Sequence, residues 1–445
     1  MQVDVLVIGG GVAGIAAAAS AAQEGASVIL VRRGLGATAL CAGTIDLAPD
    51  LYARPGEVVL AAAGLAGRTT VSEHVERLLA HRPLHPYAVM GLRASQVAAA
   101  ATWIHGALEE GVLAWRGEDR PPFLLPDARG EARAADMCPF TAAAGDLKGL
   151  GGTRIAVADF GRALSGWDAP RLAQSMEYLC GEGLEVAPVP IRLPAAEAEN
   201  RCISLMDLAI SIDRDDGQAF ADAAAEALDG QGWSHLLLPP ALGIDRARAA
   251  LIRLGNATGT IPFEVLSAAV PSAPGLRLQR ALDRVAETAG VSMREGVCEG
   301  FDGNQGRIRQ VRVAGPDPAI AEIEPQAVIL CTGRYIGGGI RWERRPAEAV
   351  FGLPVRVGDH FPEEAPPSRF AVPDPKSRQP VFMAGVSVGD DLRPLAPGGG
   401  VAYGNLSAAG AVLAGHDDGA ERGGIGMGLV TGWIAGRTAA RAVAR

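Results

Sequence analysis

Lysine is nearly missing from this chain. Of its 41 basic residues only Lys148 and Lys376 are lysine, and we read that skew, together with the excess of alanine, as codon composition rather than mechanism. Fifty acidic residues leave a net charge of −9 and there is no basic run, so nucleic acid and anionic membrane surfaces are excluded as partners. Six cysteines, Cys41, Cys138, Cys180, Cys202, Cys298 and Cys331, stand singly. Without a C-x-x-C pair, a zinc ribbon or an iron–sulfur cluster held by this chain alone is excluded, and no metal site is expected. Long apolar runs are missing too. Near the end, the uncharged glycine-rich stretch Gly423 to Gly436 has 14 residues where a membrane span needs about 20. The opening Met1-Gln2-Val3-Asp4 shows neither the basic nor the apolar region of a signal peptide. The expectation is a cytoplasmic chain without a membrane span of its own, reaching the inner face of a membrane through a partner.

What is present is a globular composition with too much glycine. At roughly 150 residues per domain, 445 residues allow about three domain-sized units or one discontinuous domain carrying an insertion. Hydrophobic residues at 48% and charged ones at 20% exclude a disordered chain. Glycine accounts for 58 residues, about 13% against a usual ~7%, without a collagen period.

The first cluster follows an apolar run from Val3 to Ile8. Gly9-Gly10-Gly11-Val12-Ala13-Gly14 comes at once, and the chain to Gln23 is then almost all alanine. This is strand, glycine turn and helix, the context that makes a G-x-G-x-x-G specific for a phosphate on a helix N-terminus. Gly9 permits the tight turn, Gly11 lets the backbone approach a phosphate, and Gly14 lets the helix lie against the strand. Val12 and Ala13 open that helix. Ser27 to Val31 reads as the second parallel strand, but Arg32 and Arg33 stand where an acidic residue normally binds a ribose. Either an arginine near a phosphate holds the adenosine half differently, or the cofactor is a mononucleotide without that ribose.

Gly34 to Asp46 is a loop of small residues with hydroxyls. Behind such an opening it is expected to run beneath a flavin ring, with Thr38, Gly43 and Thr44 as contacts. Far downstream, an amphipathic helix pattern from Gly275 to Ala289, a strand, and a charged hairpin around Asp302-Gly303-Asn304 lead to the apolar strand from Ala327 that ends in Thr332-Gly333. That course resembles the return of a flavoprotein chain to its cofactor domain. From Gly385 to Arg445 there are 15 glycines in 61 residues. Asn405 to Val412, with Gly410, reads as a last strand running into the cofactor, and Gly424, Gly426 and Met427 open a final helix. A helix N-terminus there stabilises negative charge at the pyrimidine edge of a flavin.

These motifs, with His81-Arg82-Pro83-Leu84-His85-Pro86-Tyr87, Pro271-Ser272-Ala273-Pro274-Gly275-Leu276-Arg277, Phe351-Gly352-Leu353 and the closing Asn405-Leu406-Ser407-Ala408-Ala409-Gly410, resemble the B-subunit family of the anaerobic glycerol-3-phosphate dehydrogenases. The resemblance implies a flavoprotein subunit with FMN, FAD being the alternative. It implies a complex with an FAD-containing catalytic subunit, which carries the glycerol phosphate site, and an iron–sulfur subunit. The implied activity oxidises glycerol 3-phosphate to dihydroxyacetone phosphate and sends electrons toward quinone.

The expected fold is α/β: a discontinuous Rossmann-like flavin domain of the FAD/NAD(P)-binding type (1–60, 271–340 and 380–445) with an inserted α+β cap (61–270), and a connecting segment, 341–379, packed on the cap. Helix patterns at 94–110, 168–180 and 218–228 and short strands at 154–158 and 234–238 mark the insertion. For a substrate hydroxyl and its anionic group a base and a cation are needed. The candidates are His416, His85 and Arg277, with His81, Tyr87 and Asp417 behind them; Cys41, without a nearby partner, is set aside as a redox thiol. Two rival readings stay open: a self-contained FAD dehydrogenase or reductase of a small hydroxy or keto acid, and a scaffold subunit without redox function.

Overall fold

The structure is a computed structural model and describes residues 1–48, 70–180, 183–199, 201–304, 306–316, 321–374, 377–417 and 424–444. Gln2–Ile8 forms β1, whose Val5, Leu6 and Val7 are fully buried because the strand lies inside a sheet covered on both faces. The glycine turn leads into α1 (Val12–Gln23), and Val28–Arg32 returns as β2, parallel to β1 with Val5 beside Val28. Alanine dominates α1 for a reason of packing. The last helix, Gly424–Val443, crosses it so closely that a Cβ on Gly432 would collide with the Ala13 carbonyl and one on Gly436 with that of Ala17. Only small residues permit this approach, so packing explains the alanines of α1.

The helices α2 (Val71–His81), α3 (Pro86–Val89) and α4 (Ala94–Ala107) follow. Thr70 opens α2 with a reciprocal capping box to Glu73. Their buried Val75, Leu78, Tyr87, Val97 and Ile104 join the core of the first sheet. The unit with a core of its own therefore begins near residue 123, later than the expected 61; the boundary at 60 and 61 itself lies outside the described residues.

Two small antiparallel ribbons come next, β3 (Leu113–Trp115) with β6 (Met137–Pro139), and β4 (Phe123–Pro126) with β5 (Ala132–Ala135). Beyond them β7 (Arg154–Asp159), β8 (Glu185–Pro190), β9 (His235–Leu238) and β10 (Ile261–Glu264) make a parallel sheet in the order β10-β9-β7-β8. The helices α5 (Ala169–Cys180), α6 (Pro194–Glu199), α7 (Leu205–Asp215), α8 (Gln218–Leu228) and α9 (Ala247–Thr258) connect its strands. A parallel sheet needs such crossovers, which explains why the insertion is long.

The chain then rejoins the first sheet. Ser272 caps α10 (Ala273–Thr288), accepting the Gly275 N–H at 3.1 Å, and β11 (Ser292–Glu295) lies parallel to β2. The hairpin β12 (Val297–Asn304) and β13 (Arg307–Ala314) leads into β14 (Ala321–Leu330), parallel to β1. Residues 341–379 include β16 (Pro346–Glu348), paired with β15 (Ile340–Trp342), and β17 (Val355–Arg356), paired with β18 (Gly385–Val386). Phe351 in this segment stacks edge-on against Phe301 of β12 at 5.0 Å. The segment thus packs on the first domain rather than on the cap. Finally β19 (Leu406–Ala408) runs parallel to β14, and Gly424–Val443 is α11. The first sheet has the order β11-β2-β1-β14-β13-β12 with β19 beside β14. Segments distant in sequence, the turns after β1, β14 and β19 and the start of α11, consequently meet at one end of it.

Candidate functional site

At that end lies a cavity of about 1000 Å³. Among the described residues its lining carries six arginines (32, 33, 129, 133, 334 and 341) and one carboxylate, Asp127. In a chain of net charge −9 this reversal of sign marks a place for an anion.

The glycine turn forms one wall. Gly9 has φ +120, and a Cβ there would collide with the Cys331 carbonyl; a Cβ on Gly14 would strike the Gly9 carbonyl. Both glycines are needed by the fold itself. Gly11, the N-cap of α1, differs, because a Cβ there would have only Thr38 Oγ1 nearby, at 3.5 Å. Its missing side chain leaves open space at the helix N-terminus, where a phosphate is favoured. This is the observation that fits a phosphate-bearing cofactor to the cradle. The Thr38 hydroxyl accepts the Val12 N–H at 3.0 Å, so Thr38 serves as a cap for α1 as well as lining the cavity.

Arg32 is at the position of the usual ribose carboxylate and is already engaged. Its Nη1 meets Asp283 Oδ1 at 2.7 Å, and its aliphatic stem covers Gly10. Gln279, fully buried on α10, donates to the Gly10 carbonyl at 3.0 Å and to Asp283 at 2.9 Å. Arg33 reaches the turn after β14, where its Nη2 would lie 3.6 Å from a Cβ on Gly338. Thr332 and Gly333 line the cavity at that turn. Gly410, with φ +79, donates its N–H to Thr431 Oγ1 at 3.0 Å and presses on Ala13.

Opposite stands a wall shared by the loop after β2 and the inserted unit. Arg133 on β5 donates Nη2 to Thr44 Oγ1 at 2.9 Å and to Asp46 Oδ2 at 2.7 Å. Asp136, one residue beyond β5, accepts the Leu47 N–H at 2.6 Å. Cys41 also lines the cavity, but burial pushes its thiol up to about 11, so it is not a thiolate at neutral pH.

Of the residues singled out in the sequence, Gly9, Gly11, Val12, Ala13, Arg32, Arg33, Thr38, Thr44, Thr332, Gly333, Gly410 and Gly424 line this cavity. Gly14, Gly43, Gly426 and Met427 do not. Gly43 is wedged between Pro139 and Pro274, Gly426 faces the Asp46 carbonyl, and Met427 is 1% exposed in the core. The three candidate catalytic residues are displaced from the cavity as well. His85 and His416 are buried with ring centroids 5.3 Å apart, and His85 Nδ1 accepts the Tyr87 N–H as the cap of α3. Arg277 closes on buried Glu264 with bonds of 2.6 and 2.7 Å and on the Gly243 carbonyl at 2.6 Å. Helix α10 carries it toward the inserted sheet, where its charge ties the two units together. His81 is exposed and bonds to the Arg77 carbonyl, and Asp417 accepts the Gln379 N–H at 3.0 Å. Sequence reasoning missed Gln279, Asp283, Arg133 and Asp136, which carry no local motif and meet the cavity loops only through tertiary contacts.

Among the described residues no group of three or more potential metal ligands is present, and no helix is long and apolar enough to cross a membrane. Residues 4–165 match a family model described as an FAD binding domain. Over the whole chain the protein is 29% identical to a probable anaerobic glycerol-3-phosphate dehydrogenase B subunit of Halobacterium salinarum, covering 99% of it. The anaerobic glycerol-3-phosphate dehydrogenase B subunit of Pectobacterium carotovorum is 27% identical, with 97% of each chain covered. Among solved structures, 3-ketosteroid delta1-dehydrogenase from Sterolibacterium denitrificans aligns with 99% of this chain and 100% of its own at 12% identity and a TM-score of 0.42. The cofactor expected from the glycine motifs is thus a flavin, and the chain is similar from end to end to proteins named as the B subunit of an anaerobic glycerol-3-phosphate dehydrogenase.

Proposed function

We propose that the cavity holds FAD and that this chain, a flavin oxidoreductase subunit, relays electrons within a complex of the anaerobic glycerol-3-phosphate dehydrogenase type. The observation that carries the reading is the glycine cradle, with its open space at Gly11, in a chain similar over its full length to proteins of that name. The FAD form is supported by the family model and by the reach of the cavity past the glycine turn to Gly296, Val297 and Cys298, where an adenosine half would have room.

A bound flavin supplies an acceptor for two electrons that can pass them on one at a time. The chain's own residues bind and orient it. The N-terminus of α1 and Gly11 receive phosphate, Arg33 adds charge near the turn after β14, and Thr44, Arg133 and the start of α11 bound the opposite end. Oxidation of glycerol 3-phosphate to dihydroxyacetone phosphate removes two electrons and two protons from a secondary alcohol, and it needs a base at the hydroxyl. Among the described residues the lining holds no histidine or lysine, its one carboxylate, Asp127, accepts the Arg129 and Glu131 N–H groups of its own turn, and His85, His416 and Arg277 are held elsewhere. That favours relay over a self-contained dehydrogenase, with the substrate on an FAD-containing catalytic partner, the electrons leaving through an iron–sulfur partner toward quinone, and the complex at the inner face of the membrane.

The test is anaerobic mixing. The purified chain with glycerol 3-phosphate should keep its flavin oxidised, and adding the catalytic partner should bleach it. Bleaching of the isolated chain by the substrate would instead establish the self-contained enzyme.

A further inference from the structure

The wall formed by Thr44 and Arg133 is supported by a pair of carboxyl groups that the relay itself does not use. Asp46 belongs to the loop after β2 and Asp136 to the inserted unit, and Asp136 holds the backbone of that loop: the Leu47 N–H donates to Asp136 Oδ2 at 2.6 Å. A backbone pair between Ile45 and Met137, N to O at 3.0 Å in both directions, sits beside them. Both aspartates are buried, 4% and 6% exposed. Arg133 neutralises one of the two charges, and Asp46 Oδ1 is buried without a hydrogen-bond partner. A buried carboxylate oxygen left unpaired beside a second carboxyl is unfavourable unless a proton lies between them.

We propose that Asp46 and Asp136 share a single proton, and that this shared proton holds the Thr44–Arg133 wall in place and makes its charge depend on pH. With the proton present, Arg133, Asp46 and Asp136 sum to zero beside the cavity; once it leaves, they sum to −1. Burial and the neighbouring Asp46 charge push the Asp136 carboxyl up to about 7, which puts the change within the physiological range. Since the two groups interact strongly, the titration belongs to the pair.

Among the described residues, the other raised groups around the pair lie well above that range. Tyr87, whose hydroxyl is buried, is raised well above its ordinary value by burial and by Asp136. Burial also raises Cys41 and Cys138, on the loop and on β6. From α11 the backbone at Gly426 lies against the Asp46 carbonyl, which brings the first turn of that helix to the loop. Asp46 and Asp136 are positioning residues: they act through Arg133 and Thr44, which line the cavity.

The link to the flavin rests on the cofactor reading above; the shared proton does not. Infrared difference spectra of the flavin-free full chain between pH 6 and 8 should show loss of one protonated-carboxyl C=O band. Asp136→Asn should abolish that loss. Asp46→Asn should move it to lower pH by at least one unit, because the repelling neighbour is gone while Arg133 remains, and this second variant decides the matter if the first does not fold. A band that persists in Asp136→Asn, or no band at all in the wild type, overturns the shared proton. In the flavin-loaded protein the visible absorption should shift with the same midpoint. A flavin spectrum unmoved while the infrared band titrates overturns the link to the cavity, whereas a chain that retains no flavin fails the cofactor reading and leaves the infrared result to decide.

Discussion

Arg277 on α10 closes on Glu264 at the end of β10 with two parallel hydrogen bonds of 2.6 and 2.7 Å, and Glu264 is 1% exposed. The pair joins the helix that rejoins the flavin domain to the last strand of the inserted sheet. Removing one partner strands a buried charge, which costs about 3–5 kcal/mol. Arg277→Met should therefore lower the unfolding free energy by roughly that amount, while the fraction that folds keeps its flavin affinity. Chemical denaturation with a parallel flavin titration checks both; a variant of normal stability that has lost flavin would make Arg277 a cofactor contact after all.

The two kinds of glycine in the first turn should part under mutation. Gly14→Ala forces a Cβ into the Gly9 carbonyl, so the expected outcome is a protein that does not fold. At Gly11 a side chain has room in the protein, and Gly11→Val should fold with an unchanged circular dichroism spectrum while losing flavin. Fluorescence of released flavin measures the second point.

Stability should also fall as pH rises across the neutral range. The folded-state pKa of Asp136, about 7, is raised above its ordinary 3.8. Its proton therefore stabilises the folded chain fully below about pH 4, and that contribution is lost as pH rises through about 7. Melting temperature should drop between pH 5.5 and 8.5, and Asp136→Asn, which keeps an acceptor for the Leu47 N–H, should flatten that drop. Equal slopes in the two proteins would remove Asp136 as the cause.

Cys41 lines the cavity, yet its thiol is protonated at neutral pH. Cys41→Ser should leave electron transfer through the flavin unchanged, and iodoacetamide at pH 8 should label this cysteine slowly in the folded chain. Rapid labelling with loss of electron transfer would restore it as a redox candidate.

Much of this arrangement is legible in the sequence, for physical reasons that can be named. β1, the glycine turn and α1 are contiguous, so apolar run, glycines and alanines report one local structure. The Thr332-Gly333 turn and the start of α11 are likewise local, and the sheet brings their ends to the first turn. Sequence alone misplaces the charged candidates because their partners are remote along the chain: Glu264 neutralises Arg277, Asp283 takes Arg32, and His85 turns inward as the cap of α3. Asp46 and Asp136 are 90 positions apart and meet only when the inserted unit closes on the loop. The cap boundary reads too early for a related reason, since the apolar faces of α2 and α4 do not reveal which of the two cores they enter.

Whether this cavity holds a flavin is decided most directly by extraction and chromatography of cofactor from the purified, folded chain. FAD at one molecule per chain is expected, and none from Gly11→Val. Well-folded wild-type protein that yields no flavin would contradict the flavin reading.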